Sequence, residues 1–180
     1  KIQLNGFKSF AEKTNFLIED GLTGIVGPNG CGKSNIVESL RWAMGETSAK
    51  SMRGSGMEDV IFNGTSNKAS KNIAEVSIVV DNASHEGPLQ YKDMDQIEVR
   101  RKIEKDKGSK FYINDKEVRA RDAQMFFADL STGAHSPSMI SQGRIGALVT
   151  AKPTDRRAIL EEAANISGLH VRRHEAELRL

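Results

Sequence analysis

Eight residues, Gly27 to Ser34 (GPNGCGKS), set the tightest limit on how this chain can fold. They spell G-x-x-x-x-G-K-S, the Walker A phosphate loop, in which backbone N–H groups and a helix N-terminus surround the phosphates of a nucleotide. Such a loop needs a strand before it and a helix behind it. Leu22 to Val26 (LTGIV) is a short apolar run that reads as a buried strand. After Lys33 the apolar residues Ile36, Leu40 and Ala43 recur at helical spacing, and Gly45 stands where a C-cap belongs. Gly27, Gly30 and Gly32 tolerate positive φ and let the backbone approach an anion closely. Lys33 is expected to reach the β- and γ-phosphates, and the Ser34 hydroxyl to ligate Mg²⁺. Asn29, Gly30, Cys31, Gly32 and Asn35 complete the predicted phosphate cradle. The motif implies ATP or GTP binding; it does not by itself imply hydrolysis.

The remaining sequence narrows the class. Its 180 residues suit one domain, or one domain with an appendage. No apolar run is long enough for a transmembrane helix, and the opening KIQLNGFKSF alternates like a strand instead of forming a signal-peptide core. The single cysteine, Cys31, excludes an internal disulfide and is compatible with a reducing cytoplasm. A net charge of +2 excludes a grossly basic nucleic-acid binder but leaves room for a local basic patch. The missing initiator Met and an end in mid-pattern point to a trimmed chain.

Periodicity gives a coarse map. Ile2 to Phe10 and Asn15 to Ile18 read as short strands, and Val60 to Phe62 as a brief one. Ala74 to Asp81 reads as a well-buried strand. Gln96 to Glu104, with Ile97, Val99 and Ile103 on one face, and Lys110 to Ile113 form a predicted hairpin. Arg121 to Leu130 reads as a helix. Beyond Pro153, Thr154 is a possible N-cap and Arg157 to Leu180 a long helix. There Ile159, Ile166, Leu169, Ala176 and Leu180 follow a 7-3-7-4 spacing, an a/d seam, although Arg173 interrupts it and Gly168 weakens the helix by about 1 kcal/mol. An ordinary amphipathic helix fits this pattern as well as a coiled coil does.

A complete hydrolytic site is not visible. A triphosphatase needs an acid at the end of an apolar strand to hold Mg²⁺ and a group that orients water. The strand Ile78 to Asp81 (IVVD) is the best Walker B candidate, but Asn82 follows where a general-base Glu would stand, so Asp81 reads as an ordinary strand-end residue. No LSGGQ-like signature and no guanine-recognising N-K-x-D motif occur.

Taken together, five segments in order resemble the N-terminal half of an SMC (structural maintenance of chromosomes) ATPase head of the bacterial type. GFKSF (Gly6 to Phe10) looks like the family's opening strand, and GPNGCGKSNIVESLRWAMGE (Gly27 to Glu46) like its Walker A loop and helix. SAKSMRGSGMEDVIF (Ser48 to Phe62) is similar to its arginine-containing loop, and SMISQGRI (Ser138 to Ile145) to its Q-loop. KPTDRRAILEEAA (Lys152 to Ala164) resembles the beginning of its long coiled coil.

The resemblance implies an α/β fold: a P-loop NTPase, an ABC-type head lobe with a mixed or antiparallel sheet around a Walker A helix. Residues 1–152 would form the lobe and 153–180 the start of the coiled-coil helix. It implies ATP and Mg²⁺ as cofactors, Gln142 on Mg²⁺ and the attacking water, and Arg53 near the phosphates. Lys8 and Ser9 would lie near ribose or base. Signature motif, Walker B strand and catalytic Glu would come from a C-terminal lobe, and turnover from two heads that sandwich two ATP molecules. The isolated chain is therefore predicted to bind ATP weakly and to hydrolyse essentially none.

Implied partners are that lobe, a second SMC head in a homodimer, a kleisin subunit and DNA, in a cytoplasmic, nucleoid-associated setting with no membrane. Arg119 and Arg121 resemble the DNA-facing surface. The basic hairpin of Arg100, Arg101, Lys102, Lys105, Lys107 and Lys110 reads instead as an ordinary solvated face. The implied function is ATP-dependent head engagement in chromosome condensation and segregation. A double-strand-break repair ATPase of the same superfamily and a nucleotide-gated clamp with little hydrolysis are the alternatives.

Overall fold

The computed structural model describes residues 1–85, 87–130, 132–134, 139 and 149–163. Six strands form one sheet: β1 (Ile2–Asn5), β2 (Thr14–Phe16), β3 (Ile73–Asp81), β4 (Gln96–Glu104), β5 (Gly108–Ile113) and β6 (Lys116–Val118). Their order is β2-β1-β3-β4-β5-β6, and every pairing among them is antiparallel. Two helices, α1 (Lys33–Ala43) and α2 (Ala120–Asp129), cover one face, and α3 (Pro153–Ala163) follows.

The sheet forms where side chains alternate. In β4, Ile97, Val99, Arg101 and Ile103 point inward, and the register sets them against Val80, Ile78, Val76 and Ala74 of β3. On the other side, Arg101 and Val99 face Phe111 and Ile113 of β5. Leu4 and Ile2 of β1 extend this face across Val76 and Ile78. Trp42 and Ala43 of α1, with Ala123, Phe126 and Phe127 of α2, close the core from above. Phe7 meets the Trp42 ring at 5.5 Å, and Phe126 meets Phe127 at 5.2 Å. Burying each such large side chain contributes about 1.5–3 kcal/mol.

Several expectations require correction. Leu22 to Val26 forms no strand: Leu22 and Val26 are almost fully exposed, and the run borders no strand of the sheet. An apolar strand is held only by a neighbour that takes its backbone hydrogen bonds, and the described residues supply none there. Val60 to Phe62 is not a strand either. Met57–Val60 is a 3-10 turn, and Ile61 makes only an isolated bridge to Phe7. The opening strand stops at Asn5, because Gly6 (φ 63°) and Lys8 (φ 46°) turn the chain back. The short β6 has no counterpart among the strands expected from the sequence. Thr154 is not an N-cap; it lies within α3, which begins at Pro153, a residue suited to a first helical turn. The Lys152 carbonyl accepts the N–H groups of Asp155 and Arg156, at 3.0 and 3.1 Å. The seam residues from Ile166 to Leu180 lie outside the described residues.

Candidate nucleotide site

The site assembles where β1 ends and α1 begins. A tight turn joins Phe7 and Phe10 by reciprocal backbone hydrogen bonds of 3.1 and 2.8 Å. It presents Lys8 and Ser9 between the phosphate loop and the loop that carries Arg53. The Lys8 N–H donates to Val60 O at 2.7 Å and the Phe62 N–H to Gly6 O at 2.8 Å, so the arginine loop is stitched to this turn. Asp59 fixes that loop internally. Its carboxylate accepts the N–H of Gly56 (2.9 Å) and the hydroxyl (2.8 Å) and N–H (2.6 Å) of Ser55, which hold its pKa below the ordinary 3.8.

At the head of α1, Gly32 is the N-cap with φ 95°, and a Cβ there would overlap the Ser9 hydroxyl. Only glycine satisfies both demands. Gly30 also has positive φ, whereas Gly27 does not. At Gly27 the constraint is space, since a Cβ would stand 2.9 Å from Cys31 Sγ. The first turn of α1 contains no acidic residue. Its unsatisfied N–H groups and positive dipole end therefore face the loop without a competing carboxylate, as anion binding requires.

The side chains form two neighbouring sets, one within the phosphate loop and one around Asn35 and Glu38 of α1. The Lys33 ammonium donates to the carbonyls of Gly27 and Pro28, each at 2.6 Å, and lies 3.8 Å from Cys31 Sγ. The Asn35 amide donates to Ser9 Oγ at 2.9 Å, and its oxygen accepts from Arg53 at 3.2 Å. Arg53 and Lys8 both pair with the Glu38 carboxylate, and Lys8 donates also to Met52 O. Ser34 is exposed beside Lys33. One hydroxyl suits Mg²⁺ that arrives with nucleotide, because Mg²⁺ takes most of its ligands from phosphate and water. Among the described residues no cluster of His, Cys, Asp and Glu could hold a metal by itself.

Lys8, Ser9, Asn35 and Arg53, from three separate segments of the sequence, thus meet at one place. Gln142 lies outside the described residues. Glu38 is the member that sequence reasoning missed, although its spacing from Ser34 and Asn35 puts all three on one helix face. Asp81 is remote. It lies at the other end of β3 from Glu75, which pairs with the exit of β1. Six residue steps of strand separate the two, about 20 Å.

The other end of α1 is clamped. Arg101, 3% exposed, lies over the rings of Trp42 and Phe111 at 4.5 and 4.6 Å. It donates to Trp42 O (2.8 Å), Glu46 O (2.7 Å) and Ser109 Oγ (2.7 Å). Burial lowers its pKa to about 10, with Glu46 opposing the shift, so it remains a cation at neutral pH. Arg101 is therefore not part of a solvated basic hairpin. Of the other hairpin cations, Arg100 pairs with Asp115, Lys107 with Glu104 and Lys110 with Glu117. Arg119 and Arg121 are exposed at the start of α2, where the Arg119 N–H donates to Asp122 at 3.1 Å.

The sequence model of the RecF/RecN/SMC N terminal domain family matches residues 1–144. The chain belongs to that family. It is 59% identical over all 180 residues to the chromosome partition protein Smc of Cereibacter sphaeroides, of which it spans 16%. A solved chain from structural work on ATP-driven dimerization and DNA-stimulated activation of SMC ATPases has a TM-score of 0.76 at 31% identity, covering 90% of this chain and 96% of its own. The Smc head of Pyrococcus furiosus, solved with an extended coiled coil and bound to the C-terminal domain of ScpA, has a TM-score of 0.85 at 28% identity. It covers 99% of this chain, which corresponds to 44% of that head. The antiparallel sheet with α1 against it is thus the SMC head fold, and the expected ABC-type head lobe is borne out.

Proposed function

We propose that this chain is the ATP-binding lobe of an SMC-type head. The observation that carries the reading is the convergence of Lys33, Ser34, Asn35, Ser9 and Arg53 around the acid-free N-terminus of α1. Lys33 neutralises the β- and γ-phosphates, and Ser34 holds Mg²⁺. Gln142 orients the attacking water, and Arg53 supplies positive charge to the transition state. Asn29 to Gly32 cradle the phosphates. The groups that finish the chemistry come from a C-terminal lobe. The exposed run from Leu22 to Val26 supports this, since it is a strand-like sequence without a neighbour among the described residues.

Residues 1–152 form the lobe, and α3 begins a coiled coil that occupies 153–180. In the assembled protein, ATP joins two identical heads and hydrolysis releases them, with DNA touching Arg119 and Arg121 and a kleisin subunit bound. The setting is the cytoplasm at the nucleoid. Among the described residues no helix is long and apolar enough to cross a membrane.

The test is direct. Titration calorimetry is expected to detect ATP–Mg²⁺ binding by the chain and to lose it in Lys33→Ala. A phosphate-release assay is expected to register turnover only when the C-terminal lobe is added. Robust turnover by residues 1–180 alone would overturn the split-site reading.

A further inference from the structure

We propose that Glu38 is a positioning residue for Arg53, holding its guanidinium one helical turn from the phosphate loop until the terminal phosphate of ATP takes it over. The proposal rests on the reading of Arg53 as a phosphate-facing arginine.

The asymmetry of the cluster carries it. Glu38 is 8% exposed, on a helix face that also presents Ser34 and Asn35. Its carboxylate pairs with two cations, and these are not equivalent. The Lys8 side chain is 13% exposed and donates also to Met52 O, so it is built into the wall of the site. The Arg53 side chain is 60% exposed, and its other partner is the Asn35 amide in the first turn of α1. A buried carboxylate that loses its only cation is strongly penalised. Here Lys8 stays when Arg53 leaves, so the exchange strands no charge. The loop is arranged to match. Lys8 pins it at Met52, Asp59 pins it at Ser55 and Gly56, and Arg53 stands between the two anchors with φ 55°. Within that span the side chain can swing while the backbone stays.

Glu38 and the γ-phosphate are then competitors for one guanidinium. ADP lacks that phosphate, so the competition is felt by ATP and not by ADP. Glu38→Gln removes the carboxylate's charge at nearly constant shape. In the full chain, calorimetric affinities for ATPγS–Mg²⁺ and ADP–Mg²⁺ are expected to show the ATPγS-to-ADP preference rising about threefold, the scale of a partly exposed ion pair. The same change in an Arg53→Ala background is expected to leave the preference where Arg53→Ala put it. Glu38→Asp, which keeps a charge for Lys8 but retracts it from Arg53, is the second variant should Glu38→Gln not fold. An unchanged or lowered preference in these Glu38 variants, with Arg53→Ala still weakening ATPγS binding, would overturn the proposal alone. No effect of Arg53→Ala on ATPγS affinity would overturn the underlying reading of Arg53 and the proposal with it.

Discussion

At its C-terminal end α1 is gripped by its own chain: Arg101 binds the carbonyl of Trp42 in its last turn and that of Glu46 just beyond it, Gln124 donates to Gly45 O at 2.7 Å, and Arg41 reaches Glu46 and Ala134 O. At its N-terminal end the same helix meets a loop whose ten residues from Gly21 to Gly30 are all exposed. One end is finished by packing within the lobe. The other is a set of donors and cations held in place by hydrogen bonds, with apolar residues beside it that no described residue covers. A helix so mounted presents its phosphate-binding end from an opposite end that is tied to the sheet, which is how a scaffold positions a binding loop.

Mutations at the two ends are expected to separate stability from binding. The largest loss of stability should come from Trp42→Ala, about 3–5 kcal/mol by denaturant unfolding, because the fully buried indole touches sheet and turn at once. Arg101→Met keeps an apolar stem on the rings but removes the hydrogen bonds to the carbonyls of Trp42 and Glu46 and to Ser109 Oγ. It should cost about 1–3 kcal/mol in the same assay. Asp59→Asn should loosen the arginine loop by a smaller amount, with a defined pH signature. The folded pKa is depressed, so the carboxylate's contribution is present above about pH 3.8 and fades as pH falls through the folded value. Wild-type and variant melting curves should therefore converge in acid. At the exposed end, Leu22→Ser and Val26→Ser should change stability by less than about 0.5 kcal/mol in this chain. A large effect there would show that the run is buried, and would break the contrast between the two ends.

How much of this was legible in the sequence follows from what each signal encodes. The register partners β3 and β4, the hairpin to β5, and α2 were readable, because alternation and helical spacing specify both the element and its buried face. The run Leu22 to Val26 was misread because an apolar stretch encodes burial but not the neighbour that provides it. Arg101 was counted with surface cations although strand parity with Ile97, Val99 and Ile103 places it inward; its charge masked its position. Lys33 and Ser34 were fixed by motif. Lys8, Ser9 and Arg53 could be tied to the site only through family resemblance, because the turn and loop that bring them together have no periodic signature. Glu38 carried a weak positional signal, three and four residues beyond Asn35 and Ser34, and no motif.

Trp42 is the only tryptophan in the chain. It is fully buried, its indole N–H has no hydrogen-bond partner among the described residues, and it lies nine residues from Lys33 on the same helix, about 14 Å along the axis. The protein therefore carries a single-site optical gauge. Its fluorescence comes from one spot, on the rod that joins the phosphate loop to the core, and any tilt of that rod on nucleotide binding can be followed without a label.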